Sequence, residues 1–145
     1  HDALDVPGVG TLVVLEGIND LGQGDASVAA LEAGYRTLVR RAHASGVRVL
    51  LGTLTPDRGT LQPGYGAAAE ERRLALNRWI RGQRLADGVV DFDRAVRDPG
   101  DHGRLLPAYD GGDHLHLSRA GYRAMAGAVP LDLLRGPGAD GPTCH

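Results

Sequence analysis

Two short segments hold the side chains best suited to chemistry. Glu16-Gly17-Ile18-Asn19-Asp20-Leu21 follows an apolar run near the start of the chain, and Asp113-His114-Leu115-His116 lies toward its end. An Asn carboxamide can donate to a developing oxyanion, and a His oriented by an Asp three residues earlier can serve as general base; together they read as acyl transfer. Two plainer readings stand beside this one. Asn19-Asp20 suits turn chemistry, because Asx side chains bend the chain after a strand. His114 and His116, with Asp110 and Asp113, have the His-x-His spacing that would put both imidazoles on one face of an extended segment and so suit a divalent metal, although no third ligand is evident. The expectation adopted is that no metal is bound.

A nucleophile is harder to find, since the chain has only three serines. Ser45 precedes Gly46 at an expected helix C-terminus, and Ser118 suits an N-cap. Ser27, in Gly24-Asp25-Ala26-Ser27, also sits at a helix start, whereas a triad serine must lie within hydrogen-bond reach of its base. Cys144 beside His145 is a tail pair. His43 and His102 read as solvated, and Arg72, Arg73, Arg78, Arg81 and Arg84 as one charged helix face.

The elements that must position these groups follow from hydrophobic pattern. Thr11 to Leu15 is an apolar run without alternation, as expected of a strand buried on both faces in a parallel sheet. Val28, Leu31, Tyr35, Leu38 and Val39 then recur at helical spacing up to Gly46. Val47 to Gly52 is a second strand, followed by a long loop from Thr53 to Gly66 that contains Pro56, Gly59, Pro63 and Gly64. Ala67 to Arg84 favours helix, Gly88 to Phe92 a third strand, and Ser118 opens a last helix through Tyr122, Met125 and Val129. The chain from Pro130 reads as loose, which sets a domain over residues 1–134 and a Gly/Pro-rich tail over 135–145. This βαβαβα order implies an α/β fold with a three-layered parallel sheet, whose ligands bind beyond the carboxyl ends of the strands.

Composition narrows the class. The chain has 145 residues, 42% hydrophobic and 23% charged, which suits one domain rather than two and a packed core rather than disorder. Its net charge of -2 offers no field to attract a nucleic acid, and no apolar run reaches membrane-spanning length. With a single Cys, no internal disulfide or Cys-based zinc cage can form. The chain begins at His1 without a Met, so it is expected to be a processed chain or a fragment.

Gly17-Ile18-Asn19-Asp20, Asp113-His114-Leu115-His116 and the following Gly121-Tyr122, in this order, closely resemble conserved blocks of the SGNH (GDSL-type) hydrolases, over about Gly8 to Leu134. The resemblance implies a flavodoxin-like fold, represented by strands three to five, and hydrolysis of a carboxylic ester through an acyl-serine without metal or organic cofactor. Asn19 would donate to the oxyanion, His116 would be base then acid, and Asp113 would fix its tautomer. Gly17, Thr53 and Thr55 would border a small-molecule, lipid or carbohydrate ester. The family's Gly-Asp-Ser nucleophile block and second oxyanion glycine have no counterpart here. The serine is therefore expected upstream of His1, and the competing expectation is a catalytically silent chain acting as a binding module. Secretion is implied by resemblance alone. If strand one is missing, the Thr11 to Leu15 edge is open, to self-association or to an upstream segment.

Overall fold

The computed structural model describes residues 3–135. Three strands, β1 (Thr11–Val14), β2 (Arg48–Gly52) and β3 (Gly88–Val90), form one parallel sheet in the order β1-β2-β3. Thr11 lies opposite Arg48, and Leu50 opposite Gly88. Strand side chains alternate between faces, and in β2 both faces are covered. Val49 and Leu51 join the larger core with Tyr35, Val39, Leu76 and Ile80, while Leu50 joins Val90 and Phe92 on the other side. An unbroken apolar run is what a strand needs when helices cover it on both sides.

Among the helices, α1 (Ile18–Gly22) is short and α2 (Val28–Ala44) is long. Ser27 starts α2 by accepting a hydrogen bond from the Ala30 amide at 3.2 Å. α3 (Ala67–Gly82) links β2 to β3, and α2 and α3 share the larger core, where Tyr35 and Trp79 stack with ring centroids 5.9 Å apart. α4 (Phe92–Val96) follows β3 directly; α5 (Arg119–Gly127) and α6 (Leu131–Arg135) complete the described chain. Met125, Ala128, Val129 and Leu133 close the second face of the sheet.

Three expectations are corrected here. The third strand stops at Val90 instead of reaching Phe92, because the Asp91 carboxylate accepts from the Arg94 amide and caps α4. The segment after Pro130 is not loose as far as Arg135. Leu133 packs beneath β2 and β3, and the Leu133 and Leu134 carbonyls accept from Arg48 Nη1 at 2.7 Å and Thr11 Oγ1 at 3.2 Å. The rest of the expected tail, with Cys144 and His145, lies outside the described residues, as does His1.

The charged face of α3 is corrected too. Arg73 is fully buried, with Nε 2.6 Å from Glu70, Nη1 2.9 Å from Asp93 and Nη1 also donating to the Leu54 carbonyl at 2.9 Å. Ala69, Arg73, Leu76 and Ile80 occupy one side of the helix at three- and four-residue spacing. Arg73 therefore stands in the apolar stripe, and the carboxylates around it make that burial tolerable. Arg72 reaches α1 through the Leu21 carbonyl at 2.7 Å, and His43 is bonded to Asp87 at 2.8 Å. Among the described residues no helix is long and apolar enough to cross a membrane.

Candidate active site

The chain leaves β1 through Leu15 and Glu16 and turns at Gly17, whose φ of 106° belongs to the left-handed region that favours glycine. Tyr35 donates to the Glu16 carbonyl at 2.5 Å from α2, and burial pushes its hydroxyl pKa up to about 12. The turn starts α1, so Asn19 sits in a first helical turn rather than in a loose bend. Its Oδ1 accepts from the Tyr65 hydroxyl at 2.6 Å.

At the other end of the chain, residues 110–117 fold back on themselves. Asp110 bridges Leu117, and the Gly111 amide donates to the His116 carbonyl at 2.8 Å. Asp113 Oδ1 accepts from the Leu115 and His116 amides, and Asp113 Oδ2 lies 2.6 Å from His116 Nδ1. The hydrogen bond from the His116 ring, with those from the two amides, holds the Asp113 carboxyl far below the ordinary carboxylate range. This carboxylate fixes the ring and leaves Nε2 on the side away from it.

Asn19 and His116 line one cleft of about 260 Å³ at the carboxyl ends of β1 and β2. Leu15, Ile18, Leu54, Leu115, Leu117 and Met125 form its apolar walls, and Glu16, Thr55 and Tyr122 add polar groups. Thr55 reaches this cleft, whereas Thr53 does not. Thr53 is fully buried, donating to Asp91 at 2.9 Å and accepting from the Asp93 amide at 2.9 Å, so it ties β2 to α4 and cannot touch a substrate. Gly17 serves as the backbone turn and lies behind the cleft, near Leu31 and Tyr35.

The shared-face arrangement expected of His114 and His116 is not formed. His114 has a φ of 60°, which breaks the extended run; its ring is bonded to Asp110 and lines a separate groove beside Thr60 and Gln62. Among the described residues no group of three His, Cys, Asp or Glu converges as metal ligands would. No serine lines the cleft. Ser27 and Ser118 cap α2 and α5, and Ser45 closes α2.

Sequence reasoning missed the supports of this cleft. Asn77, fully buried on α3, accepts from the Leu54 amide at 2.7 Å and donates to the Leu54 carbonyl at 2.8 Å, while Arg73 donates to the same carbonyl. Leu54 is thereby clamped from below, which fixes Thr55 at the cleft wall. The available signal was two polar residues in or beside the apolar stripe of α3. Tyr65, at the far end of the same loop, carried no comparable pattern.

A family model described as the GDSL-like lipase/acylhydrolase family matches residues 2–124. The chain belongs to this family. Two solved structures share its fold, a GDSL-like lipase from Bacteroides thetaiotaomicron VPI-5482 and a protein assigned to the acylhydrolases from Bacteroides fragilis NCTC 9343. Both are 19% identical to it, with TM-scores of 0.73 and 0.71, and each alignment covers 86% of this chain. The chain spans 62% and 61% of their lengths, respectively. No curated protein matches the sequence significantly.

Proposed function

We propose that this chain supplies the base, its orienting acid and an oxyanion donor of a serine ester hydrolase, and that the nucleophilic serine comes from polypeptide outside these 145 residues. The observation that carries the reading is the single cleft lined by both Asn19 and the Asp113-backed His116. In the proposed reaction the serine Oγ attacks the ester carbonyl as His116 Nε2 takes its proton. The Asn19 carboxamide donates to the oxyanion, and the alcohol leaves with the proton from His116. Water then attacks the acyl-serine by the same route in reverse. The mainly apolar walls fit a small-molecule or lipid ester acyl group. Action outside the cell belongs to the same proposal and rests on the family resemblance alone.

One observation favours the competing reading of a silent, ligand-binding chain, namely that no serine lines the cleft. Turnover of an activated acetyl ester separates the two. The 145-residue chain is expected to be near background and unaffected by serine-directed phosphonates. The full-length natural protein should turn over, and Asn19→Ala should reduce its turnover by about 10²–10³. A full-length protein without phosphonate-sensitive turnover would leave the binding module as the better reading.

A further inference from the structure

We propose that Tyr65 is a positioning residue for the oxyanion donor, holding the Asn19 carboxamide with its nitrogen toward the cleft. The inference rests on the proposed ester hydrolysis and adds the group that makes Asn19 competent for it. A carboxamide presents either its oxygen or its nitrogen after a half-turn, and only the nitrogen stabilises a developing negative charge. An oxygen in that place would repel it. The 2.6 Å separation between the Tyr65 hydroxyl and the Asn19 carboxamide selects one of the two. O–H···O bonds centre at about 2.7–2.8 Å and N–H···O bonds at about 2.9–3.0 Å, so the hydroxyl donates to Oδ1 and Nδ2 is left for the cleft.

The backbone builds this contact deliberately. Gly22, the last residue of α1, lies so close under the Tyr65 ring that a Cβ there would be 2.5 Å from Cε1. Gly64 has a φ of +91°, and a Cβ on it would collide with the Gly22 carbonyl oxygen. Two glycines thus let the loop end lie flat on α1, which brings the phenol to Asn19. The same loop is clamped at Leu54 by Asn77 and Arg73, so both of its ends are fixed against the cleft. Partial burial, with the nearby Asp57 charge adding to it, raises the Tyr65 pKa, and the hydroxyl keeps its proton for donation at neutral pH.

The test is Tyr65→Phe in the full-length protein, which keeps the ring on Gly22 and removes one oxygen, combined with Asn19→Ala in a double-mutant cycle. Tyr65→Phe is expected to lower kcat about tenfold at unchanged KM, part of the loss of a whole donor, and to cost nothing further once Asn19 is Ala. The side-chain amide resonances of Asn19 should also shift by NMR, because the bond to Oδ1 is lost. A normal kcat for Tyr65→Phe while Asn19→Ala is impaired overturns the Tyr65 role alone, as does a fully additive loss in the double variant. Unimpaired Asn19→Ala overturns both this role and the oxyanion reading beneath it. Should Tyr65→Phe unfold, a Tyr65 hydroxyl proton that exchanges as fast as a free phenol in the wild-type protein would overturn the contact, and a slowly exchanging one would support it.

Discussion

Replacing Asp57 with Asn measures how the charge cluster beneath the cleft wall is balanced. Asp57 is 4% exposed and lies 3.8 Å from Arg73 Nε, while Glu70 holds the same guanidinium through contacts at 2.6 and 2.9 Å. Burial lifts the Asp57 carboxyl to about 6; Arg73 counters this only in part, and the Glu70 charge adds to it. Asn keeps the shape and can donate to Glu70 as the protonated acid does. In the unfolded chain the carboxyl titrates near its ordinary value of about 3.9. From about pH 4 to pH 6 the unfolded state therefore sheds a proton that the folded state retains, and stability falls as pH rises. Above about 6 the folded state ionises as well, and the loss levels off. A rise of about two pH units corresponds to about 3 kcal/mol. The Asn variant should thus match wild type at pH 4 and exceed it by about 2–3 kcal/mol at pH 7.5. Urea unfolding of both proteins across that range isolates the effect, because every other titrating group is common to the pair. Parallel stability curves would refute the reasoning and place the ionised carboxylate in a site that solvates it well.

Other outcomes follow from the same contacts. Arg73→Met strands Asp93, Asp57 and Glu70 around an uncharged side chain and should cost about 3–5 kcal/mol; hydrogen exchange should show the Leu54 amide losing protection, and retained protection would mean Asn77 suffices. Ser27→Ala removes the cap on Ala30 and should cost about 1 kcal/mol by chemical denaturation, with no change in the full-length protein's ester turnover; a collapse of turnover would make Ser27 the nucleophile. β1 is an edge strand and its Val13 is 37% exposed; the 145-residue chain is expected to associate in sedimentation, and Val13→Lys to give a monomer. Association that survives the lysine would move the contact elsewhere.

The sheet was legible because its strands must be apolar on both faces, and the long helices because their apolar residues recur at helical spacing. The Asp113–His116 pairing was legible for a local reason: three residues of separation let one carboxylate bond both the ring and the backbone amide of the same His. The short helices were not. α1, α4 and α6 have five residues each, too few for periodicity to register, and they exist because of caps and tertiary docking. Arg73 was misread because charge outweighed position. Its place between Ala69 and Leu76 marks a core-facing site, and the three carboxylates that neutralise it come from Asp57, Glu70 and Asp93, of which only Glu70 is local in sequence.

That same non-local character explains why the cleft needs so much support. Asn19 and His116 belong to segments at opposite ends of the chain, and the parallel sheet helps bring them to one edge, because β1, which leads to Asn19, and β3, which precedes the segment of His116, run in the same direction. The sheet sets this edge only coarsely, while an oxyanion donor must be placed to within hydrogen-bond tolerance. The finer placement falls to the loop after β2. At its start Leu54 is gripped at both its amide and its carbonyl by Asn77, and at its end Tyr65 meets Asn19 over a glycine floor. The loop is irregular in sequence because neither anchor requires periodicity: one needs a buried carboxamide on the helix that follows, the other two glycines without side chains. Residues that fix a site in this way leave little trace in the hydrophobic pattern. They become visible only when the polar atoms of a buried or closely packed segment are each assigned a partner.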